Sequence, residues 1–473
     1  MKKHCLALAL LLLTLHPAWT QPVGAPGVTP AGSPPVATPG NGVELVFTPY
    51  STTIFADGTD RCDVVISVLD RLGNEVRTVN APLSIVVQGK GRIVPTPGIP
   101  GTELRKGDAS TWETALVNGV SRFTLISDSA DRIKIEVRSA GLRSASSEIH
   151  SIKPFPLLTP ARPARQAAAR VIPKMLGADI SNLPQMESRG IKFSENGVEK
   201  DALEILKSHG FNAIRLRLFH NPAAQGGYSR QGFCGLEQTK LMAARIKKAG
   251  MYFLLDFHYS DYWADPQQQN KPSAWKDLSG PALETAHREY TRDVIRDLKA
   301  LGAAPDMVQV GNEINHGMVW PDGHIGNPDQ LAGLIRAGIQ GVREADPSIL
   351  IMVHVALGGQ QKESIFWLDN MFARGVECDI IGLSYYPRWH GTLQDLDQNM
   401  RLLAERYQKD INLVEYSHKK QEVHDIVFNL PNNRGRGSFI WEPLNTWEQI
   451  FDREGKPNDL IRVYDGIAAK YLK

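Results

Sequence analysis

Met307-Val308-Gln309-Val310-Gly311-Asn312-Glu313 is a short, largely apolar run that stops at a glycine and then presents an amide and a carboxylate. Its composition predicts a buried strand, and the polar pair just past it predicts chemistry at the strand's carboxyl end. The same design recurs on both sides. Strands are expected at residues 175–180, 213–219, 252–257, 307–310, 350–354, 380–384, 411–414 and 438–441. Helix-forming stretches separate them at 200–209, 237–248, 281–301, 328–344, 364–373 and 393–409, with Gly210 and Gly250 just past two of their ends. Strands alternating with helices imply a parallel sheet, and eight in a row imply a closed (β/α)8 TIM barrel, here residues 173–473.

In such a barrel the active site lies where the strands end. The first run leads into Asp179, the second carries Arg215 and Arg217, the third reaches Asp256, His258 and Asp261, and the fourth Asn312-Glu313. The fifth ends at His354, the sixth at Tyr385-Tyr386, the seventh at Glu415 and the eighth at Trp441-Glu442. A single polar residue at a strand end says little, but eight strands ending this way define a site. Glu313 and Glu415 stand out because strands four and seven face each other across the barrel mouth. Hydrolysis of a glycosidic bond needs such a pair, one carboxyl protonated and one ionised, about 5–5.5 Å apart when configuration is retained. Either glutamate alone reads equally as a surface or salt-bridged residue.

Five stretches carry a recognisable pattern: Gly177-Ala178-Asp179-Ile180-Ser181, Ile214-Arg215-Leu216-Arg217-Leu218, the long run from Asp256-Phe257-His258-Tyr259-Ser260-Asp261 through Tyr262-Trp263-Ala264-Asp265-Pro266, Val308 through Ile314, and Gly382-Leu383-Ser384-Tyr385-Tyr386-Pro387 with Trp389-His390-Gly391. On these the barrel resembles glycoside hydrolase family 53, the endo-β-1,4-galactanases. The resemblance implies a retaining mechanism without cofactor, with Glu313 as proton donor and Glu415 as nucleophile, and some relatives carry a structural calcium near the last loops. It implies a substrate-binding set of Asp179, Arg215, Arg217, His258, Asp261, Trp263, Asn312, Tyr386, Trp389, His390 and Trp441. Asn312 could bond the sugar 2-hydroxyl, and an Arg215 guanidinium could keep the Glu415 pKa low. Trp263 and Trp441 are the favoured sugar platforms; Trp275, Trp320 and Trp389 read equally as platforms or core. His258, Asp261, Tyr386 and His390 read as hydroxyl-binding or pKa-setting groups, with a satisfied core histidine the rival for His258. Two departures touch the distal subsites: a short stretch after Glu415, and Phe219-His220-Asn221-Pro222 in place of Trp-Val-Asn-Pro. No acidic loop asks for calcium. A β-mannan or β-glucan hydrolase of the same architecture, or a catalytically idle sugar-binding protein, are the competing readings.

The rest of the chain is organised differently. Residues 1–20 have the basic start and apolar run of a secretory signal, 21–41 are a Pro/Gly/Ala-rich segment expected to be disordered, and 153–172 form a second linker or a strap across a domain seam. Residues 42–152 show period-two runs at 43–47, 62–69, 83–88, 121–126 and 132–138 separated by turns, predicting an antiparallel sandwich. Ala56-Asp57-Gly58-Thr59 and Val68-Leu69-Asp70-Arg71-Leu72-Gly73-Asn74 make it similar to bacterial immunoglobulin-like modules, with a spacer or docking role expected and a carbohydrate-binding module the alternative. With 53 lysines and arginines against 51 aspartates and glutamates, nothing electrostatic favours nucleic acid, and a neutral substrate fits best. No later stretch is apolar enough for a membrane span, so the expected product is an extracytoplasmic monomer, secreted or periplasmic, that binds a β-1,4-galactan. Cys62, Cys234 and Cys378 are expected as buried thiols, with Cys234–Cys378 the one conceivable pair.

Overall fold

Aliphatic runs too short and too apolar to be surface helices become the barrel strands: Met175–Asp179, Ala213–Leu218, Tyr252–Phe257, Met307–Val310, Leu350–Val355, Ile380–Tyr385, Asp410–Tyr416 and Gly435–Trp441. They pair in parallel, in chain order, and the eighth closes on the first. The computed structural model describes residues 44–98, 103–108, 110–160 and 172–472, so the expected signal and first linker lie outside the described residues.

Helices Ala202–Ser208, Leu236–Lys248, Gly280–Ala300, Pro328–Ala345, Gln361–Ala373 and Leu393–Tyr407 fill the intervals between strands. Local chemistry starts some of them: Asp201 accepts from the Leu203 N–H, and Thr392 with Asp395 forms a reciprocal capping box. Three further helices, Lys420–Phe428, Arg462–Tyr471 and the short Leu183–Ser188, were not legible in the sequence. The first begins after Lys419 in a left-handed conformation without a capping side chain.

Inside the barrel, Met175, Ala213, Leu254, Met307, Met352, Ile380, Val414 and Phe439, one from each strand, form an apolar plug with Ile172 and Leu350. Because side chains alternate along a strand, the next inward layer carries Arg215, Asp256, Gln309 and His354, two residues further on. The floor is therefore dry and the layer above it polar. Strand seven breaks the alternation. Gly382 pairs with Asn412 but Ser384 with Glu415, and Leu413 pairs with Ser438 but Tyr416 with Ile440, so just before Tyr416 strand seven holds one extra residue against each neighbour, while strand eight carries its own between Gly435 and Ser438. This bulge turns Glu415 inward although Val414 already points in, and sends Tyr416 outward to meet the Tyr464 hydroxyl at 2.6 Å. In strand eight Gly437 sits at φ 106°, where an added Cβ would lie 1.7 Å from the Met175 carbonyl; only glycine fits there.

The N-terminal strands form two facing sheets. One contains Glu44–Pro49, Cys62–Leu69, Val120–Ser127 and Gly91–Val94, the other Thr53–Phe55, Ala145–Ile152, Asp131–Arg138, Ala81–Gln88, Thr111–Leu116 and Arg105–Lys106. Alternating Val64, Ile66 and Val68 meet Ile85, Ile133 and Ile135 in one core. All pairings are antiparallel except Thr53–Phe55, which runs parallel to Ala145–Ile152. The sandwich does not stand off from the barrel as a spacer would. Arg132 donates to the Gln267 carbonyl at 2.7 Å and Lys362 pairs with Asp60 at 2.7 Å. Residues 153–160 behave as a strap: Phe155 packs edge-on against Phe55 and lies 5.9 Å from Phe366, ring centre to ring centre. Residues 161–171 of the expected second linker lie outside the described residues. Cys62, Cys234 and Cys378 are all buried and free, so the conceivable Cys234–Cys378 pair does not form. No helix among the described residues is long and apolar enough to cross a membrane.

Candidate active site

Arg215, fully buried on strand two, organises the mouth of the barrel. Its Nη1 donates to Asp179 at 3.0 Å, Nη2 to Asp256 and to Asn312 Oδ1 at 2.8 Å each, and Nε to Gln309 at 3.2 Å. Nη2 also lies 2.8 Å from Glu415 Oε1, a charge contact outside hydrogen-bond alignment. The other Glu415 oxygen accepts from the Tyr386 hydroxyl at 3.0 Å. One guanidinium thus meets three carboxylates, an arrangement tolerable in a water-poor interior only because every donor has a partner.

Glu313 stands two residues past Gly311 on the loop of strand four, half-buried, at φ 49°. Its Oε1 accepts from the Ser384 hydroxyl at 2.7 Å, and Ser384 is the register partner of Glu415 on strand six, so the two carboxyls share a neighbour. Behind Ser384, His354 contacts its Oγ through Nε2 at 2.8 Å. Ser384 spends its one proton on Glu313, so His354 Nε2 carries a proton, and in the neutral ring Nδ1, which lies 3.3 Å from the Glu313 N–H, 3.1 Å from the Gln309 amide and 3.0 Å from Asn312 Oδ1, is the acceptor. The donation therefore runs from His354 to Ser384 to Glu313 Oε1, and the free oxygen of Glu313 is the one able to carry a transferable proton. Asn312 gives one amide proton to the Ala264 carbonyl at 2.8 Å and keeps the other.

The electrostatics separate the two carboxyls. Burial, and after it the charge of Glu415, pushes Glu313 well above the ordinary carboxylate range. Burial also raises Glu415, to about 7, against the lowering pull of Arg215. The expectation that Arg215 keeps Glu415 low is therefore corrected: desolvation outweighs the guanidinium. Of the pair, the carboxyl with a guanidinium and a phenol beside it loses its proton first, and that is Glu415. His354, buried and facing Arg215, is held well below the usual histidine range and stays neutral.

Several sequence-predicted substrate contacts are spent within the protein. Asp179 is fully buried between Arg215 and Ser181. Both Asp261 oxygens accept backbone N–H groups, from Asn221 at 3.0 Å and Ser273 at 2.8 Å. His258, 1% exposed, accepts from the Ala264 N–H and lies 3.0 Å from Asp256. His390 is buried, accepts from the Tyr386 N–H at 3.0 Å, and burial pulls it down to about 3. These groups shape loops rather than face a ligand. Arg217 likewise faces Glu442 at 2.7 Å and lies under the Trp263 ring at 4.4 Å.

The aromatic rim is more open. Trp263 and Trp441 meet edge to face, 5.9 Å apart and half-buried, with Arg217 beneath both. Trp389 and Tyr386 form a second cluster with Trp447, whose 38% exposure makes it the most open tryptophan of the mouth. Trp447 was missed as a site residue, and Glu442, named at the end of strand eight, was left out of the substrate-binding set; the available signal for Trp447 was an aromatic beyond strand eight in a polar turn. Trp275 packs in a core of Tyr259, His287 and Tyr290, and Trp320 against His150 and His324 at the sandwich, so neither is a platform. Among the described residues no three His, Cys, Asp or Glu side chains are grouped to hold a metal ion.

Replacing Tyr386 by phenylalanine removes a hydrogen bond that favours ionised Glu415. The expected loss in kcat/KM is about 10- to 100-fold, the worth of one hydrogen bond to a charged group. The acidic limb of the pH–rate profile should also move upward, because without the phenol Glu415 ionises at higher pH; an unmoved limb would place the phenol's role elsewhere.

Comparison with known proteins follows this geometry. Residues 175–423 match the family model described as glycosyl hydrolase family 53, and residues 45–148 the one described as glycoside hydrolase family 2 C-terminal domain 5. The chain is 46% identical over 311 residues to a Niallia circulans protein described as an uncharacterized protein in the bgaB 5′ region, covering 57% of this chain and 83% of that protein. It is 33% identical over 270 residues to the arabinogalactan endo-β-1,4-galactanase A of Aspergillus niger, covering 55% and 74% respectively. The solved Ignisphaera aggregans GH53 catalytic domain superposes with a TM-score of 0.58 at 31% identity, over 65% of this chain and 99% of that one.

Proposed function

Given that the chain belongs to glycosyl hydrolase family 53, we propose that it hydrolyses internal β-1,4-galactosidic bonds of pectic galactan or type I arabinogalactan with retention, Glu313 serving as acid/base and Glu415 as nucleophile. The observation that carries this reading is the unequal setting of the two carboxyls: Glu415 lies against Arg215 and Tyr386, whereas Glu313 has only the Ser384 hydroxyl. In the first step Glu415 attacks the anomeric carbon while Glu313 passes its proton to the departing glycosidic oxygen; in the second, Glu313 takes a proton from water as the galactosyl–Glu415 bond breaks. Arg215 steadies the carboxylate before attack, and the free N–H of Asn312 is available to the 2-hydroxyl, a contact that strengthens toward the oxocarbenium-like transition state. Trp263, Trp441, Trp389 and Trp447 offer ring faces to the C–H surfaces of successive sugars. The loop after strand seven is three residues, Ser417 to Lys419, which supports a shortened wall on that side of the groove. The apolar run near residue 10 supports export, and we read the working form as a monomer outside the cytoplasm.

The test is the product profile on debranched galactan beside β-mannan and carboxymethylcellulose. Short β-1,4-galacto-oligosaccharides should appear from galactan alone, and Glu313→Gln should release them about 10²- to 10⁴-fold more slowly, the range of one general acid. Cleavage of mannan instead would overturn the substrate; no cleavage of any glycan would overturn the enzyme.

A further inference from the structure

Glu313 occupies the left-handed backbone region, φ 49° and ψ 50°, which a residue with a full side chain keeps only where its surroundings impose it. The barrel supplies part of the constraint: Trp367 Nε1 donates to the Ile314 carbonyl at 2.9 Å, and the Ala356 N–H to Asn315 at 3.3 Å. His354, Ser384 and Gln269 hold Glu313 itself, and a further constraint comes from the sandwich. His316, three residues after Glu313, is buried; its Nδ1 faces the Pro266 carbonyl at 2.6 Å and so carries the proton, leaving Nε2 to accept from the Thr52 hydroxyl at 2.8 Å. Thr52 is seated in turn on the buried Glu363 carboxyl, which accepts its backbone N–H and reaches its hydroxyl oxygen at 2.8 Å. Burial pushes Glu363 up to about 7, so below that pH it is the neutral acid that can donate to Thr52. His150, from the strand Ala145–Ile152, stacks on His316 with ring centres 3.8 Å apart and meets His324 at 2.9 Å.

The same sandwich touches the other loops at this end of the barrel. Glu44 lies 3.4 Å from Arg388, the residue before Trp389, and Asn74 accepts from Lys419, in the loop after Glu415, at 2.6 Å. A module hung on as a spacer would have no reason to bury histidines and a glutamate against the catalytic loop, because buried polar groups are retained only where their partners are fixed.

We propose that the sandwich is a brace for the catalytic face and that Thr52 is the positioning residue for the loop bearing Glu313. This rests on the reading of Glu313 as acid/base, and its test separates the two. In the full chain, Thr52→Val keeps the shape and removes the hydroxyl, while Thr52→Ser keeps the hydroxyl. On debranched galactan, Thr52→Val should lower kcat about tenfold with KM unchanged, and Thr52→Ser should stay within twofold of the wild type. Amide hydrogen exchange across residues 311–320 should quicken at least tenfold in Thr52→Val and not in Thr52→Ser, with the sandwich core strands unaltered. Wild-type kcat and exchange in Thr52→Val, or equal losses in both variants, would overturn the brace. Should the wild type leave galactan intact, the galactanase reading fails and the exchange contrast alone decides the brace. If Thr52→Val does not fold, His150→Phe, which keeps the ring over His316 and drops the bond to His324, is read by the same exchange measurement.

Discussion

A Glu415→Ala variant should lose galactan cleavage by a factor on the order of 10⁵, the scale seen when a nucleophile that works with its partners as a unit is removed. The loss alone does not distinguish nucleophile from acid, but rescue does. With an activated aryl β-galactobioside, azide should enter the space left by the carboxylate and attack the anomeric carbon directly, giving the α-glycosyl azide. In Glu313→Ala the covalent intermediate still forms, and azide should open it to the β-glycosyl azide instead. Chromatographic identification of the two anomers reads the assignment, and a β-azide from Glu415→Ala would reverse the roles of the two glutamates. Removing Glu415 also removes the like charge that raises Glu313, so Glu313 should titrate lower in that variant.

Arg215→Met is expected to destabilise the fold by roughly 3–5 kcal/mol, because it leaves buried Asp179, Asp256 and Glu415 without their shared cation. The sign of the pH dependence identifies the cause. Without the guanidinium Glu415 binds its proton still more tightly in the folded chain than in the unfolded one, so its contribution to stability is kept at low pH and lost as pH rises. The deficit in urea unfolding that comes from Glu415 should therefore be small near pH 4 and open only as pH rises through about 7, where Glu415 loses its proton in the wild type but keeps it in the variant. A deficit that does not vary with pH would point to packing rather than charge.

The barrel was legible because its strands obey two rules at once, an apolar run and a polar stop, and residues 307–313 obey both. The strand Ala145–Ile152 obeys neither: Ser-Ser-Glu-Ile-His-Ser is polar, and it is buried partly by the barrel, a partner that local pattern cannot reveal. Glu313 and Glu415 were legible through their placement on facing strands. Asp179, His258, Asp261 and His390 have internal partners that the sequence could not show, since a polar residue at a strand end looks identical whether it meets a sugar or a backbone N–H. Trp447 was under-read because it lies in a turn whose neighbours carry no periodicity. The order of the carboxyls was expected from Arg215, but the raised level of Glu415 was beyond reach, because desolvation depends on the depth of the mouth and not on which residues are adjacent in the chain.

The extra residue in strand seven makes the site a matter of parity. In an unbroken strand, the side that packs Val414 into the plug would face Glu415 toward the helices, and a fully stable barrel would be inert. Folding and catalysis therefore answer to different features of the same strand: hydrophobic spacing secures the first, and a single odd step in the count secures the second. Changes of one residue in length between Ile411 and Glu415 should therefore act on activity as a switch rather than by degrees, whereas substitutions that keep the count should leave Glu415 facing the mouth.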